Sequence, residues 1–232
     1  MRPRFVLAGL AAVLLVGGGV TGAILLGNHH APPSLALSTP TATNAEGSLA
    51  GRWNVAPGSE AGYRVRERFI NQATSTEAVA RTTKVSGGLK VVLGSGSSVT
   101  ASAIHFTVDL SALTSQDSYA KFQTYERDFF IRSIYLQTDL YPNADFTATS
   151  VSVPGGVTAA PITLDVAGSL KVHGVTKAVT SQLHVQLNGA RIEVAGAINV
   201  DMRDFNVEVP SISFTKAEPL VVIEYQVMLV RA

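Results

Sequence analysis

The chain contains no cysteine. That excludes disulfide staples, thiolate metal sites and an anchor built on a lipidated cysteine. Charge is scarce as well, at 15% of residues. Arg2 and Arg4 aside, the body beyond residue 27 holds 16 basic and 17 acidic residues. A near-neutral body lacks the clustered positive charge that nucleic-acid binding needs. Catalytic signatures are missing too: there is no Walker loop, no GxGxxG between strand and helix, no GxSxG and no HExxH. The five histidines form no metal-binding set, and no repeat of 20–50 residues is present. The expectation is a binding protein, not an enzyme, without metal or cofactor.

What the chain does have is one long uncharged run. Residues 5–27 follow Arg2 and Arg4 without a single charge. About 20 apolar residues span a bilayer core, and a basic flank stays cytoplasmic. Residues 1–27 are therefore expected to form a transmembrane signal anchor that leaves the rest on the extracytoplasmic side of the cell membrane. A cleaved, secreted form is the alternative, with Ala36-Leu37-Ser38 as a weak cleavage site. Residues 28–50 are rich in Pro, Ser, Thr and Ala and read as a flexible linker. Residues 51–232 make one domain.

That domain is organised around residues 162–200, read as three strands and two tight turns. Asn188-Gly189 suits a two-residue hairpin loop, and Gly174-Val175 suits another. Pairing outward from these turns sets Leu170 opposite Val179, Val166 opposite Leu183 and Leu164 opposite Val185. Leu183 then meets Val194. Nearly every aliphatic residue falls on one face, and a one-residue slip would scatter them. In this register Gly168, Ser181 and Gly196 form a lane without bulk, read either as relief for sheet curvature or as a channel floor. On the other face Asp165, His184 and Glu193 form a polar row, read as a solvated charge ladder or else as a place that holds a divalent metal or tunes the histidine.

Further strands are expected over 63–69, 79–84, 85–92, 98–110, 144–153 and 220–230, with Gly94-Ser95-Gly96-Ser97-Ser98 as a hairpin loop. Arg64, Arg66 and Arg68 give the first of these a basic face, solvated or set against anionic head groups. Glu67 falls on the apolar side, at a rim. Tyr119, Phe122, Arg127, Phe130 and Ile134 recur at helical spacing, which predicts a helix over 117–134 capped from 115–117. It docks on the barrel or lies as a lid over it.

Here the chain resembles a known family. Gly168-Ser169-Leu170-Lys171-Val172-His173-Gly174-Val175-Thr176-Lys177 is similar to the G-x-L-x-x-H-G-V-T-K signature of YceI-like, polyisoprenoid-binding proteins. Arg127-Asp128 with Tyr141-Pro142-Asn143-Ala144-Asp145-Phe146 resembles that family's RD…YP-x-x-x-F segment. Arg203-Asp204-Phe205 resembles its R-x-x-F stretch. Where the family often shows a His-Ser pair and a later His, this chain has Gly58-Ser59 and Glu67.

The pattern predicts an all-β, antiparallel, lipocalin-like barrel of about eight strands with one amphipathic helix, preceded by the transmembrane helix. The resemblance implies a bound polyisoprenoid, a prenyl quinone or polyprenyl phosphate, for storage or transport. The residues expected to line its channel are Phe106, Phe130, Ile134, Phe146, Leu164, Val166, Gly168, Ser181, Leu183, Val185, Val194, Gly196 and Tyr225. A filled barrel that binds another envelope protein is the alternative.

Overall fold

The computed structural model of the chain describes residues 30–40, 48–70, 74–118, 124–212 and 215–232. The expected anchor at 1–27, together with Tyr119 and Phe122, lies outside these residues. Among the described residues no helix is long and apolar enough to cross a membrane.

The strands are β1 (Gly51–Val55), β2 (Glu60–Phe69), β3 (Thr76–Thr82), β4 (Val85–Leu93), β5 (Val99–Asp109) and β6 (Thr114–Ser115), followed by the helix α1 (Thr124–Phe130). After it come β7 (Asn143–Val153), β8 (Ile162–Val172), β9 (Val175–Asn188), β10 (Arg191–Asp201), β11 (Ser211–Ile212) and β12 (Thr215–Arg231). All pairings are antiparallel. The order β1-β4-β5-β7-β8-β9-β10-β12 closes on itself because β1 also pairs with β12. These eight strands make the barrel. β2 continues from β1 along the same edge of β12 and carries β3 and β6 outward.

Pleating sends alternate residues inward, so each strand contributes every second side chain to the interior. In β5 the inward set changes from Val99 and Ala101 to Ile104, Phe106 and Val108. Ala103, at φ 49°, sits at that change of parity, and β4 answers with a register shift between Gly88 and Lys90.

The two meander turns differ from the expected ones by the same step. His173 and Gly174, both at positive φ, form the first loop, with Val172 paired to Val175. Gly189 and Ala190 form the second, with Asn188 paired to Arg191. Each register therefore moves by two residues, which preserves the face of every side chain but changes its partner. Val166 lies opposite Ser181, Gly168 opposite Val179, and Gly196 opposite Leu183. The lane of small residues is staggered, not straight. The polar row is likewise dispersed: His184 bonds Thr163 at 2.9 Å, and Glu193 pairs with Gln186.

Within the described residues α1 spans Thr124–Phe130 and runs into a π-helical turn over Ile131–Tyr135. Ser115 belongs to β6, and Asp117 is a buried acceptor for the Val79 N–H, not a cap.

The stretch read as a flexible linker is, over residues 30–40, seated against the outer face of the barrel. His30 forms a β-bridge with Ser118, at the α1 end. From there the carbonyls of Pro32 and Pro33 accept from Arg64 and Arg81, and the Leu35 N–H donates to Glu224. Ser38 reaches Glu193 at the hairpin end. The strap holds because the sheet beneath it presents charges that need partners. Arg81 pairs with Glu224 at 2.7 Å and Arg64 with Glu77 at 2.7 Å, so Arg64 is buried and not part of a solvated basic face.

Glu193 is 0% exposed, and burial alone would raise its pKa. It is instead held at about 2, because Ser38, Gln186, Asn188 and Gln226 all donate to its carboxylate. A carboxyl whose folded pKa is depressed contributes stability above its unfolded pKa and loses it as pH falls toward the folded value. Glu193→Gln should cost about 1.5–3 kcal/mol at pH 7. The penalty should vanish as pH falls from about 4.5 toward 2, as read by urea denaturation across that range.

Candidate functional site

The inward faces do not meet at the centre. One cavity of about 160 Å³ occupies the end of the barrel near the β9–β10 hairpin, and a second of about 140 Å³ lies toward α1. Their walls share Ala61, Val108, Ala144 and Ile223, so the two form consecutive chambers along one axis. No charged side chain lines either. One water needs only ~10–15 Å³ on this measure but also needs polar partners. These chambers are roomy without offering such partners. At ~24 cal/mol per Å³, each costs roughly 3–4 kcal/mol if left empty.

Of the thirteen residues expected to line a channel, eight stand on the wall of the first chamber: Phe106, Phe146, Leu164, Val166, Leu183, Val185, Val194 and Tyr225. Gly168, Ser181 and Gly196 do not. A Cβ at Gly168 would stand 2.6 Å from Phe146 Cζ and 2.6 Å from the Thr147 carbonyl oxygen. At Gly196 it would stand 2.7 Å from the Tyr225 hydroxyl. The missing side chains make room for these two rings, so the lane is filled by aromatics and is no channel floor. Ser181 accepts from the Tyr225 hydroxyl, or donates to it, at 2.6 Å. The bond turns that ring's polar tip into the sheet and leaves its carbon surface toward the chamber. Burial pushes the Tyr225 hydroxyl up to about 12, against the opposing effect of Ser181.

Phe130 and Ile134 are 45% and 53% exposed and point away from the interior. Their neighbours Ile131, Tyr135 and Leu136 line the second chamber instead. The segment is amphipathic, but the stripe expected to dock is the wrong one: Ile131 and Tyr135, four residues apart and in line with Arg127, face inward, and Phe130 and Ile134 face out. The second chamber itself was missed. It is built from the bend Met202–Phe205, from Val207 and from this helical segment, none of which carries strand periodicity.

A polar cluster ties α1 to the barrel. Arg127 binds Asp117 through both terminal nitrogens, takes Ser115 Oγ, and lies 3.6 Å from Glu67. Asp128 accepts from the Ser115 N–H, so Arg127 and Asp128 each hold β6 and not each other. Burial raises the Glu67 pKa, with Arg127 opposing, and that carboxyl is enclosed under the helix. His173 explains its motif similarly. Its Nδ1 donates to the Phe205 carbonyl at 3.3 Å and its ring meets Tyr141 edge-on at 4.6 Å. Gly174 packs so closely that a Cβ would stand 2.8 Å from the Tyr141 ring. Tyr141, His173 and Phe205 therefore lock one end of the barrel together. Among the described residues no group of three or more His, Asp or Glu side chains could hold a metal.

A YceI-like domain profile matches residues 54–229. The chain belongs to the YceI-like family. Protein YceI of Shigella flexneri is 37% identical over 92 residues, which cover 36% of this chain and 44% of that protein. Protein YceI of Escherichia coli O157:H7 gives the same figures. The match thus spans under half the length of these curated relatives. Among solved structures, a polyisoprenoid binding domain from Saccharophagus degradans, implicated in plant cell wall breakdown, superposes with a TM-score of 0.55 at 17% identity. It covers 79% of this chain and 99% of that one. BcnA of Burkholderia cenocepacia superposes with a TM-score of 0.51 at 19% identity, covering 75% and 98%. At such identities these likenesses establish the fold.

The packing of Phe146 over Gly168 is testable. Gly168→Ala should destabilise the protein by about 1–3 kcal/mol in urea denaturation. Phe146→Leu should recover part of that loss, giving a coupling of at least about 0.5 kcal/mol in a double-mutant cycle. Strict additivity would mean that the ring does not fill the glycine's space.

Proposed function

We propose that this YceI-like protein is a non-enzymatic lipid-binding protein of the cell envelope. It holds a long polyisoprenoid, a prenyl quinone or polyprenyl phosphate, in its barrel for storage or transport. The observation that carries this reading is the pair of consecutive chambers walled by aliphatic and aromatic side chains with no charged group. A slender branched hydrocarbon suits such a space. Burial of apolar surface contributes ~25 cal/mol per Å², offset in part by ordering the chain. The ligand also replaces the empty volume that otherwise weakens the fold. The fold shared with a polyisoprenoid binding domain supports the same ligand class. The uncharged run at 5–27 supports tethering to the membrane from which such a lipid comes. A solid-cored interaction module fits less well, because the interior is not solid.

The test is organic extraction of the full chain purified from native membranes, followed by mass spectrometry. One polyisoprenoid per chain is expected. Leu183→Trp, which projects a large ring into the first chamber, should lower that occupancy at least tenfold while the protein keeps its melting temperature. A lipid-free extract that persists after incubation with membrane lipid would refute the ligand.

A further inference from the structure

The helical segment has two apolar faces, and only one is used by the barrel. Ile131, Tyr135 and Leu136 line the second chamber. Tyr125, Phe129, Phe130 and Ile134, with Leu140 just beyond, are exposed on the other side. Phe129 and Phe130 meet edge-on with ring centroids 5.8 Å apart, which presents two rings together at the surface. Exposed aromatic clusters of this kind mark interaction sites, and amphipathic rings favour the bilayer interface.

The course of the chain decides what covers this face. The strap begins at His30, bridged to Ser118 at the α1 end. Only residues 28 and 29 separate it from the uncharged run at 5–27. Three Cα steps span at most roughly 11 Å, whereas a free 23-residue linker would reach roughly 80 Å. A membrane anchor at 5–27 therefore delivers the α1 end, and not the hairpin end, to the bilayer surface. Exposed charge at this end is mixed: Arg66, Arg68, Arg203 and Lys216 stand against Glu126, Asp139, Asp204 and Glu208, so the apolar rings and the short tether carry the orientation.

We infer that the exposed face of α1 and its π-turn seats on the bilayer surface, and that isoprenoid enters and leaves through this end of the barrel. The exchange route rests on the lipid-binding reading; the seating does not. The strap makes the tether short, and the helical segment is both the wall of the second chamber and the surface that meets lipid. A chain leaving the bilayer then passes from acyl environment to chamber without crossing bulk water.

The absence of cysteine makes the test clean. Phe129→Cys, Ile134→Cys and Val92→Cys place single labels on exposed positions, the last beside the 94–98 loop at the far end of the barrel. Each full-length variant is labelled with the fluorophore NBD and reconstituted into phosphatidylcholine–phosphatidylglycerol vesicles with brominated acyl chains. Labels at 129 and 134 are expected to shift to the blue and lose at least half their intensity to bromine. The label at 92 should stay open to aqueous iodide. Equal iodide access at all three positions overturns the seating. A blue shift without bromine quenching places the face against a second copy of the chain, and overturns it as well. Lipid extracted from the same samples separates the two readings. Polyisoprenoid bound while 129 and 134 remain in water removes the seating alone; bilayer-quenched labels without polyisoprenoid uphold the seating and remove the ligand. Phe129→Ser with Phe130→Ser should slow isoprenoid transfer from vesicles about tenfold at unchanged occupancy, and an unchanged rate removes the exchange route.

Discussion

The barrel closes through β12, whose 17 residues bond to β10 along one edge and to β2 and β1 in succession along the other. A single strand thus serves both the closed barrel and the splayed β2–β3 pair. Its inward residues Val221, Ile223, Tyr225, Val227 and Leu229 run from the second chamber to the packed far end. β2 stays paired with β12 on both sides of the irregularity between Ala217 and Val221, whereas β4 pairs with β1 and not with β2. The wall is therefore open between β2 and β4, and β6, α1 and the bend Met202–Phe205 stand at that end. The two-chamber interior follows from that division: strands alone wall the first, strands and helical segments wall the second.

Closure has a consequence on the outside. A β-strand alternates, so the side chains between the inward residues of β12 face outward, among them Glu224 and Gln226. On β10 and β9 the corresponding outward residues are Glu193 and Gln186. In water these would be ordinary surface groups. Covered by residues 30–40, they are buried: Glu193 at 0% and Glu224 at 2% exposed. A strap of Pro, Ser and Leu carries no charge of its own, so it satisfies the sheet with backbone carbonyls, backbone N–H groups and one hydroxyl. Burial of paired charges adds little net stability and breaking a pair costs much. The strap is therefore weakly favoured as a cover yet strict in where it sits. This explains how a stretch with no periodicity and the composition of a linker becomes ordered. Composition reports the lack of a core; it does not report partners elsewhere in the chain.

The legible part of the sequence was parity. Inward and outward positions of β8, β9, β10 and β12 follow from alternation, and eight expected channel residues stand on the first chamber because of it. An error of one residue in each turn moved each register by two and left parity intact, which is why the faces survived while the pairs did not. The lane of Gly168, Ser181 and Gly196 depended on pairs, and so it dissolved. What small residues exclude is visible in sequence; what enters the vacated space is not, and here it is Phe146 and Tyr225. Helix limits were lost for another reason. Asp117 has the chemistry of a cap, but the partly buried Arg127 and the Val79 N–H claim it, and tertiary pairing outweighs local capping.

The family's recurring residues concentrate at one end. Arg127 fixes α1 to β6; His173, Gly174, Tyr141 and Phe205 fasten the β8–β9 hairpin to the bend after β10. Each of these side chains buttresses the helix-walled chamber or the loops beside it. A barrel wall made of strands maintains its own geometry through a ladder of backbone bonds. A wall made of a helical segment and a bend does not, since short helices are marginal without tertiary contacts. Specific side-chain locks are then required at that end and are dispensable at the other. Held by a few side-chain contacts and no ladder, that end is the part of the wall that opens at least cost.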